Sequence, residues 1–328
     1  MNGCVAKIAA ALSIATVGLS GTPQAAYAQD AYPNRPVRLV VPFPPGGSTD
    51  NLARVIVPRW AEHLGQTILI ENRGGAGGNI GVEVVAKATP DGYTVGLFDT
   101  AFVVNPTLYA KLPFDTVKDF SAVMFVATGP AVLVVHPSVP ARTVKDLVAL
   151  ARAKPGALAY ASAGSGTAIH LAGEMFKVAA GVDILHVPYK GAGPAIIDVL
   201  SGQVPMMFAQ PGTVIGHTAS GKLRTIAMTG DRRWPGMAGV PTFAEAGLAG
   251  MDSSSSWHVM VPAATPRTVI ATLHGSLGKA LAAADVSGRL GELAYLLVAA
   301  DPDRSAVLQR AEIERWGRAV KASGARVE

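Results

Sequence analysis

A strand that runs into prolines and glycines and then straight into a helix leaves a chain few options, and this one does so from Val40 to Asn51. Leu39, Val40 and Val41 form an apolar strand that stops at Pro42, and Pro44 and Pro45 stiffen the exit after Phe43. Gly46 and Gly47 then turn the backbone with no Cβ in the way of a ligand. Ser48 or Thr49 is placed to cap the helix that follows, whose first turn carries unpaired N–H donors. Those donors and the helix dipole favour an anion at the turn. The same letters also serve as an ordinary strand-to-helix connection, since they match neither G-x-G-x-x-G nor G-x-x-x-x-G-K-[ST].

The pattern recurs. Leu52, Val55, Ile56, Trp60 and Leu64 share a helix face, with Pro58 predicting a kink or early break. A strand at Ile68 to Ile70 leads into Gly74, Gly75, Ala76, Gly77 and Gly78, which suit either a backbone approach to a ligand or a flexible surface turn. A helix (Ile80 to Lys87), a turn at Pro90-Asp91-Gly92 and a strand (Tyr93 to Phe98) complete a β-α-β-α-β run, which argues a parallel sheet. The pattern loosens through Pro106 and Pro113. Strands at Ala122 to Ala127 and Val132 to Val135 and a helix through Val144 to Ala151 follow. The strand Ala157 to Ala161 then enters Ser162-Ala163-Gly164-Ser165-Gly166-Thr167 and a helix, repeating the opening architecture. Beyond it alternate a strand (Ile184 to Val187), a helix (Ala192 to Leu200) and strands at Pro205 to Phe208 and Arg224 to Met228. A short helix at Thr242 to Ala246, a strand at Trp257 to Val261 and helices opening at Pro266 and Pro302 close the chain. The reading is α/β, with one domain from residues 29–100 and 226–328 and a second from 101–225.

Lys7, the apolar run Ile8 to Leu19 and Ala26-Tyr27-Ala28 read as a signal peptide cut before Gln29, leaving about 300 residues for the periplasm. Cys4, the one cysteine, departs with it. The formal charge of +5 is scattered along the chain, which leaves no nucleic-acid footprint.

Two similar turns on two α/β units invite a cleft between them, because ligands of open parallel sheets bind beyond the carboxyl ends of the strands. Backbone N–H groups with the hydroxyls of Ser48, Ser162, Ser165 and Thr167 would hold carboxylates without an arginine. Enzyme signatures are weak. Ser165 lies in A-G-S-G-T, short of G-x-S-x-G. His170 and Glu174 stand at i, i+4, which is two ligands and not a metal site. His186 reads as a structural histidine, whereas Tyr189 and Lys190 at a strand end are placed to reach the cleft. Asp99, ending the third strand, either points away from a bound anion or reads a donor such as an ammonium.

Several stretches together carry a family likeness. They are Pro42-Phe43-Pro44-Pro45-Gly46-Gly47 with Asp50, Glu71-Asn72-Arg73 with Gly75-Ala76-Gly77-Gly78-Asn79, Pro90-Asp91-Gly92-Tyr93-Thr94, and His186-Val187-Pro188-Tyr189-Lys190-Gly191. Pro241-Thr242 and Glu245-Ala246-Gly247 add to them. From Tyr32 to Trp316 the chain resembles the Bug family, the extracytoplasmic solute receptors of tripartite tricarboxylate transporters. The resemblance implies a two-domain Venus-flytrap fold, each domain a mainly parallel sheet flanked by helices. It also implies a small carboxylate solute held in the cleft, membrane transporter subunits as partners, a monomer, and no catalysis, cofactor or metal. Carried over, the ligand positions are Phe43, Pro45, Gly46, Gly47, Ser48, Ala76, Asp99, Thr100, Ser162, Gly164, Ser165, Gly166, Thr167, Tyr189 and Gln210. Asp99, Ala209-Gln210 and Pro58 depart from the family pattern, the first two within the cleft. An exported hydrolase using Ser165 and His170, and a solute sensor that signals instead of transporting, are the alternatives.

Overall fold

The structure, a computed structural model, describes residues 32–325; the leader read at Lys7 to Ala28, with Cys4, lies outside the described residues. Two mixed sheets organise the chain. The first contains β1 (Val37–Val41), β2 (Ile68–Asn72), β3 (Thr94–Asp99), β4 (Phe120–Gly129), β10 (Ser255–Pro262) and β11 (Leu296–Ala300), in the order β11-β4-β10-β3-β1-β2. The second contains β5 (Val132–Val135), β6 (Ala159–Ser162), β7 (Leu185–Pro188), β8 (Met206–Ala209) and β9 (Arg224–Met228), in the order β7-β6-β8-β5-β9.

The sheets are mixed where mainly parallel ones were expected. Parallel pairs occur where helices make the crossover, β1 with β2 and β3, and β6 with β7 and β8. β4, β5, β9 and β10, on which the chain passes between the sheets, pair antiparallel with their neighbours. The chain changes sheets after Gly129 and again after Met228. β4 stays in the first sheet because β10 and β11 pair with both of its edges. At the crossing, Ala131 N–H donates to Thr229 Oγ1 at 2.9 Å and Thr229 N–H donates to the Ala131 carbonyl at 2.8 Å.

The helices are α1 (Ser48–Leu64), α2 (Asn79–Ala86), α3 (Ala101–Leu108), α4 (Val144–Ala153), α5 (Ala168–Ala180), α6 (Ala192–Leu200), α7 (Pro211–Ala219), α8 (Arg267–Ala282), α9 (Ala284–Glu292) and α10 (Pro302–Ser323). α1 runs unbroken through Pro58, whose ring lies on the exposed face, where water can take up the carbonyl it leaves unpaired. The short helix expected at Thr242 is a single turn, closed by reciprocal Thr242 and Glu245 bonds and stopped by Gly247 at φ 84°.

α1 and α8 cover one face of the first sheet, burying Leu52, Ile56, Trp60, Val259 and Leu277. Each such side chain contributes roughly 1.5–3 kcal/mol. On the other face Phe98, Phe102, Phe114 and Phe120 pack largely edge-on around Trp316 of α10. Ala168 and Leu171 of α5 belong to that same cluster, so one apolar core reaches from the first sheet to the helix behind the second turn.

Candidate functional site

β1 ends in the first turn. Gly46 takes φ 87°, and α1 begins at Ser48 with Gly47 as N-cap and no side-chain cap, so neither Ser48 nor Thr49 caps the helix as expected. Asp50, 1% exposed, closes the turn instead. It accepts Gly46 N–H at 2.9 Å, Arg54 at 2.8 and 3.1 Å, and the Asn72 amide at 3.1 Å. Burial works to raise its pKa, but the bonds from Arg54, Gly46 and Asn72 outweigh it and hold the carboxyl below its ordinary value. The Asn72 amide also donates to the Phe43 carbonyl at 2.9 Å, and Tyr295 donates to the Ser48 carbonyl at 2.6 Å. Thr49 Oγ1 accepts the Trp257 indole N–H at 3.3 Å. The turn is therefore set from below before any ligand arrives.

The second turn is built on histidines. Ser162 Oγ lies 2.6 Å from His186 Nε2 and accepts Gly164 N–H at 3.1 Å. Gly166 N–H donates to His170 Nδ1 at 3.2 Å. Thr167 caps α5 through its hydroxyl, which also donates to the Gly164 carbonyl at 2.7 Å. Beneath them Tyr160, His186 and His170 stack, with ring centroids 4.9 and 4.2 Å apart. Tyr160 donates to Glu174 at 2.7 Å, and Glu174 pairs with Lys177 at 3.1 Å. Burial, with Lys177 adding to it, pushes His170 down to about 4; burial and the neighbouring His170 push His186 down to about 3. Both imidazoles are neutral; His170 accepts a backbone N–H directly, whereas His186 reaches the backbone through the Ser162 hydroxyl. His170, with its Nδ1 taken by Gly166 N–H and no bond to Ser165, is not the general base a hydrolase would need.

The segments after β1 and β2 in the first sheet meet those after β6 and β7 in the second. A Cβ added to Gly77 would stand 2.5 Å from the Ser165 carbonyl oxygen and 2.8 Å from the Tyr109 hydroxyl. One added to Gly191 would stand 2.8 Å from Pro44 Cδ, and one added to Gly166 would run into Asn105 Oδ1. Pro45 faces Gly193, Gly47 faces Ala192, and Phe43 packs its ring on Gly78. Ala76, beside Gly77, takes φ 48°. Asn105, a residue the sequence reading passed over, donates to Asn79 Oδ1 at 2.7 Å and to the Gly77 carbonyl at 3.1 Å. Its own Oδ1 is buried and has no partner among the described residues.

Other expected ligand side chains are engaged elsewhere. Thr100 Oγ1 accepts Ser256 N–H at 2.8 Å. Tyr189 donates to Asp198 at 2.6 Å; burial and that carboxylate raise its pKa to about 12. Gln210 precedes α7 and donates to Ser255 Oγ, tying the two sheets together. Asp99 is partly exposed at the end of β3, directly opposite Trp257. Its Oδ1 accepts Ala101 N–H at 2.9 Å, and burial pushes its pKa up to about 7. Among the described residues no group of His, Cys, Asp and Glu is arranged to hold a metal ion.

Comparison with known proteins places the fold. Residues 52–325 match the family described as tripartite tricarboxylate transporter family receptor. The solved periplasmic binding protein BugD is 33% identical, with a TM-score of 0.87 over 90% of this chain and 100% of its own. Rpa4515 of R. palustris, solved with adipate, is 35% identical, with a TM-score of 0.87 over 90% of this chain and 100% of its own. MatC from Rhodopseudomonas palustris, solved with bound malate, is 32% identical, with a TM-score of 0.82 over 88% of this chain and 100% of its own.

Proposed function

The chain belongs to the tripartite tricarboxylate transporter receptor family, which comprises periplasmic binding proteins and not enzymes, and from that premise we propose that it captures a small dicarboxylate between its two sheets and delivers it to a membrane transporter. The observation that carries this reading is the close approach of segments that leave the carboxyl ends of parallel strands in different sheets: Gly77 after β2 stands against Ser165 after β6, and Pro44 to Gly47 after β1 stand against Gly191 to Gly193 after β7. Helix N-termini and glycine N–H groups suit a carboxylate at each turn. The relatives solved with adipate and malate support a dicarboxylate as the solute.

The ligand groups come from backbone at Phe43 to Ser48, Ala76 and Gly164 to Thr167, with Asp99 at the side. The hydroxyls of Ser162 and Thr167 act through the backbone they hold. The two sheets, with their helices, move as separate lobes that close on the solute about the crossings at Gly129 to Val132 and Met228 to Ser255. Residues 1–28 act as the export signal, cut before Gln29. Calorimetry with adipate, malate and a monocarboxylate control, beside an ester panel, tests the proposal. Dicarboxylate binding without turnover is expected. Failure to bind any aliphatic dicarboxylate, or hydrolysis of an ester, overturns it.

A further inference from the structure

We propose that Asp99 sets solute selectivity in this cleft as a hydrogen-bond donor in its acid form, so that capture of a dicarboxylate takes up a proton. The inference rests on the reading above that the cleft holds a dicarboxylate.

Geometry places Asp99 at the site. The parallel register of Val40 with Gly96 brings the ends of β1 and β3 to one edge of the sheet. Asp99 lies directly opposite Trp257, within reach of a cross-strand contact, and the Trp257 indole is bonded to Thr49 in the first turn. One carboxyl oxygen of Asp99 accepts Ala101 N–H at 2.9 Å, and the other is assigned to the solute.

No cation balances this carboxyl among the described residues. From α1, Arg54 is taken by Asp50, which is itself fully bonded. From α10, Arg315 pairs with Glu312 and Asp252. From β10, His258 is buried, held down to about 3 and bonded to Ser256. Tyr295, ahead of β11, donates to Ser48. α3 carries no titratable residue, and across the cleft His170 and His186 are neutral. Burial therefore acts on Asp99 unopposed except by backbone N–H groups, and it brings the carboxyl to about 7.

A doubly charged solute shifts that balance further. An incoming carboxylate disfavours a second negative charge beside it, so Asp99 is protonated on binding and its O–H points at the solute. A neutral carboxylic acid donating to an oxyanion is a strong, short contact in a site that excludes water. A solute bearing an ammonium group would instead favour the ionised form and release no such requirement for a proton.

The test is calorimetry of the described protein with adipate from pH 6.5 to 8.5, where an aliphatic dicarboxylate is ionised at both ends, in buffers of different ionisation heat. Proton uptake is expected to rise from about a quarter of a proton at pH 6.5 to nearly one at pH 8.5, with affinity falling towards tenfold per pH unit above about 7. Asp99→Asn, which keeps a donor, is expected to bind adipate within about threefold of wild type at pH 6.5 and to lose both the uptake and the pH slope. Adipate binding with no uptake at any pH overturns the proposal while leaving the dicarboxylate reading intact. So does an Asp99→Asn protein that retains the slope, or one that loses an amino-dicarboxylate selectively. Absence of dicarboxylate binding at every pH overturns both. The wild-type proton count needs no variant to fold.

Discussion

Gly77 and Ser165 stand against each other across the cleft, so closely that a methyl on Gly77 would come within 2.5 Å of the Ser165 carbonyl oxygen. Gly77 lies in the glycine turn after β2, where its carbonyl accepts the Asn105 amide at 3.1 Å, and Ser165 lies in the turn after β6, which His170, His186 and Thr167 shape.

Gly77→Ala separates closure from folding. Gly77 has φ 60°, a left-handed conformation that costs an alanine roughly 1–2 kcal/mol of stability. Closing the cleft must then also displace Ser165, so adipate affinity is expected to fall by about tenfold or more. Calorimetry beside thermal melting checks this; a stability loss with unchanged affinity would show that this contact plays no part in holding the solute.

The histidine stack makes stability depend on pH. His170 is held at about 4 in the fold, against an ordinary value near 6.5. The unfolded chain therefore binds a proton that the folded protein refuses between those values. The stabilisation is fully present above about 6.5 and is lost as pH falls towards 4, on the order of 3 kcal/mol for this residue. His186, held at about 3, and buried His258 add to the same slope. Asp99, raised to about 7, works the other way over this range, but the three histidines together outweigh it, so urea unfolding at pH 7 and pH 5 should show a net drop that His170→Gln makes smaller.

Asp50→Ala is expected to cost about 2–3 kcal/mol and to weaken solute binding, because it strips Gly46 N–H and the Asn72 amide of their acceptor. Arg54→Ala should cost less than about 1 kcal/mol, since its side chain is 56% exposed. Denaturation curves for the pair give the order; equal losses would mean that the ion pair, and not the turn, dominates.

Pro58→Ala should stabilise the protein. The change restores an N–H to the middle of α1 and removes a ring that opposes the Arg54 carbonyl, for a net gain of about 1 kcal/mol or more after the lost rigidity of the unfolded chain. A fall in melting temperature would indicate that α1 is shaped around the proline.

How far the site was legible follows from where each bond partner lies. Gly46, Gly164 and Gly166 announced turns because their neighbours along the chain announce a strand and a helix, and all three take positive φ. Ser162 and Tyr189 looked free because the groups that engage their hydroxyls, His186 and Asp198, are set by the fold and not by the local pattern. The engagement of Gln210 was hidden in the same way, since Ser255 reaches it from the other sheet. α3 escaped because Ala101 to Asn105 is buried on every side, leaving no polar face to give the sequence a helical period, and Pro106 looked like a break. Asp99 was legible in position, whereas its single bond to Ala101 N–H required coordinates.

Ala131 and Thr229 exchange two hydrogen bonds where the chain crosses between the sheets, and Thr229 is fully buried. Two bonded strands side by side resist sliding, because shear would break both bonds at once in a place water does not reach. Bending the pair together breaks neither. Under the closure proposed above, the crossing would serve as a torsion bar, soft about one axis and stiff about the others, with the lobes as levers of fixed direction. A rotation too small to register at Thr229 is multiplied by the length of the lobe before it arrives at Pro44 and Gly191.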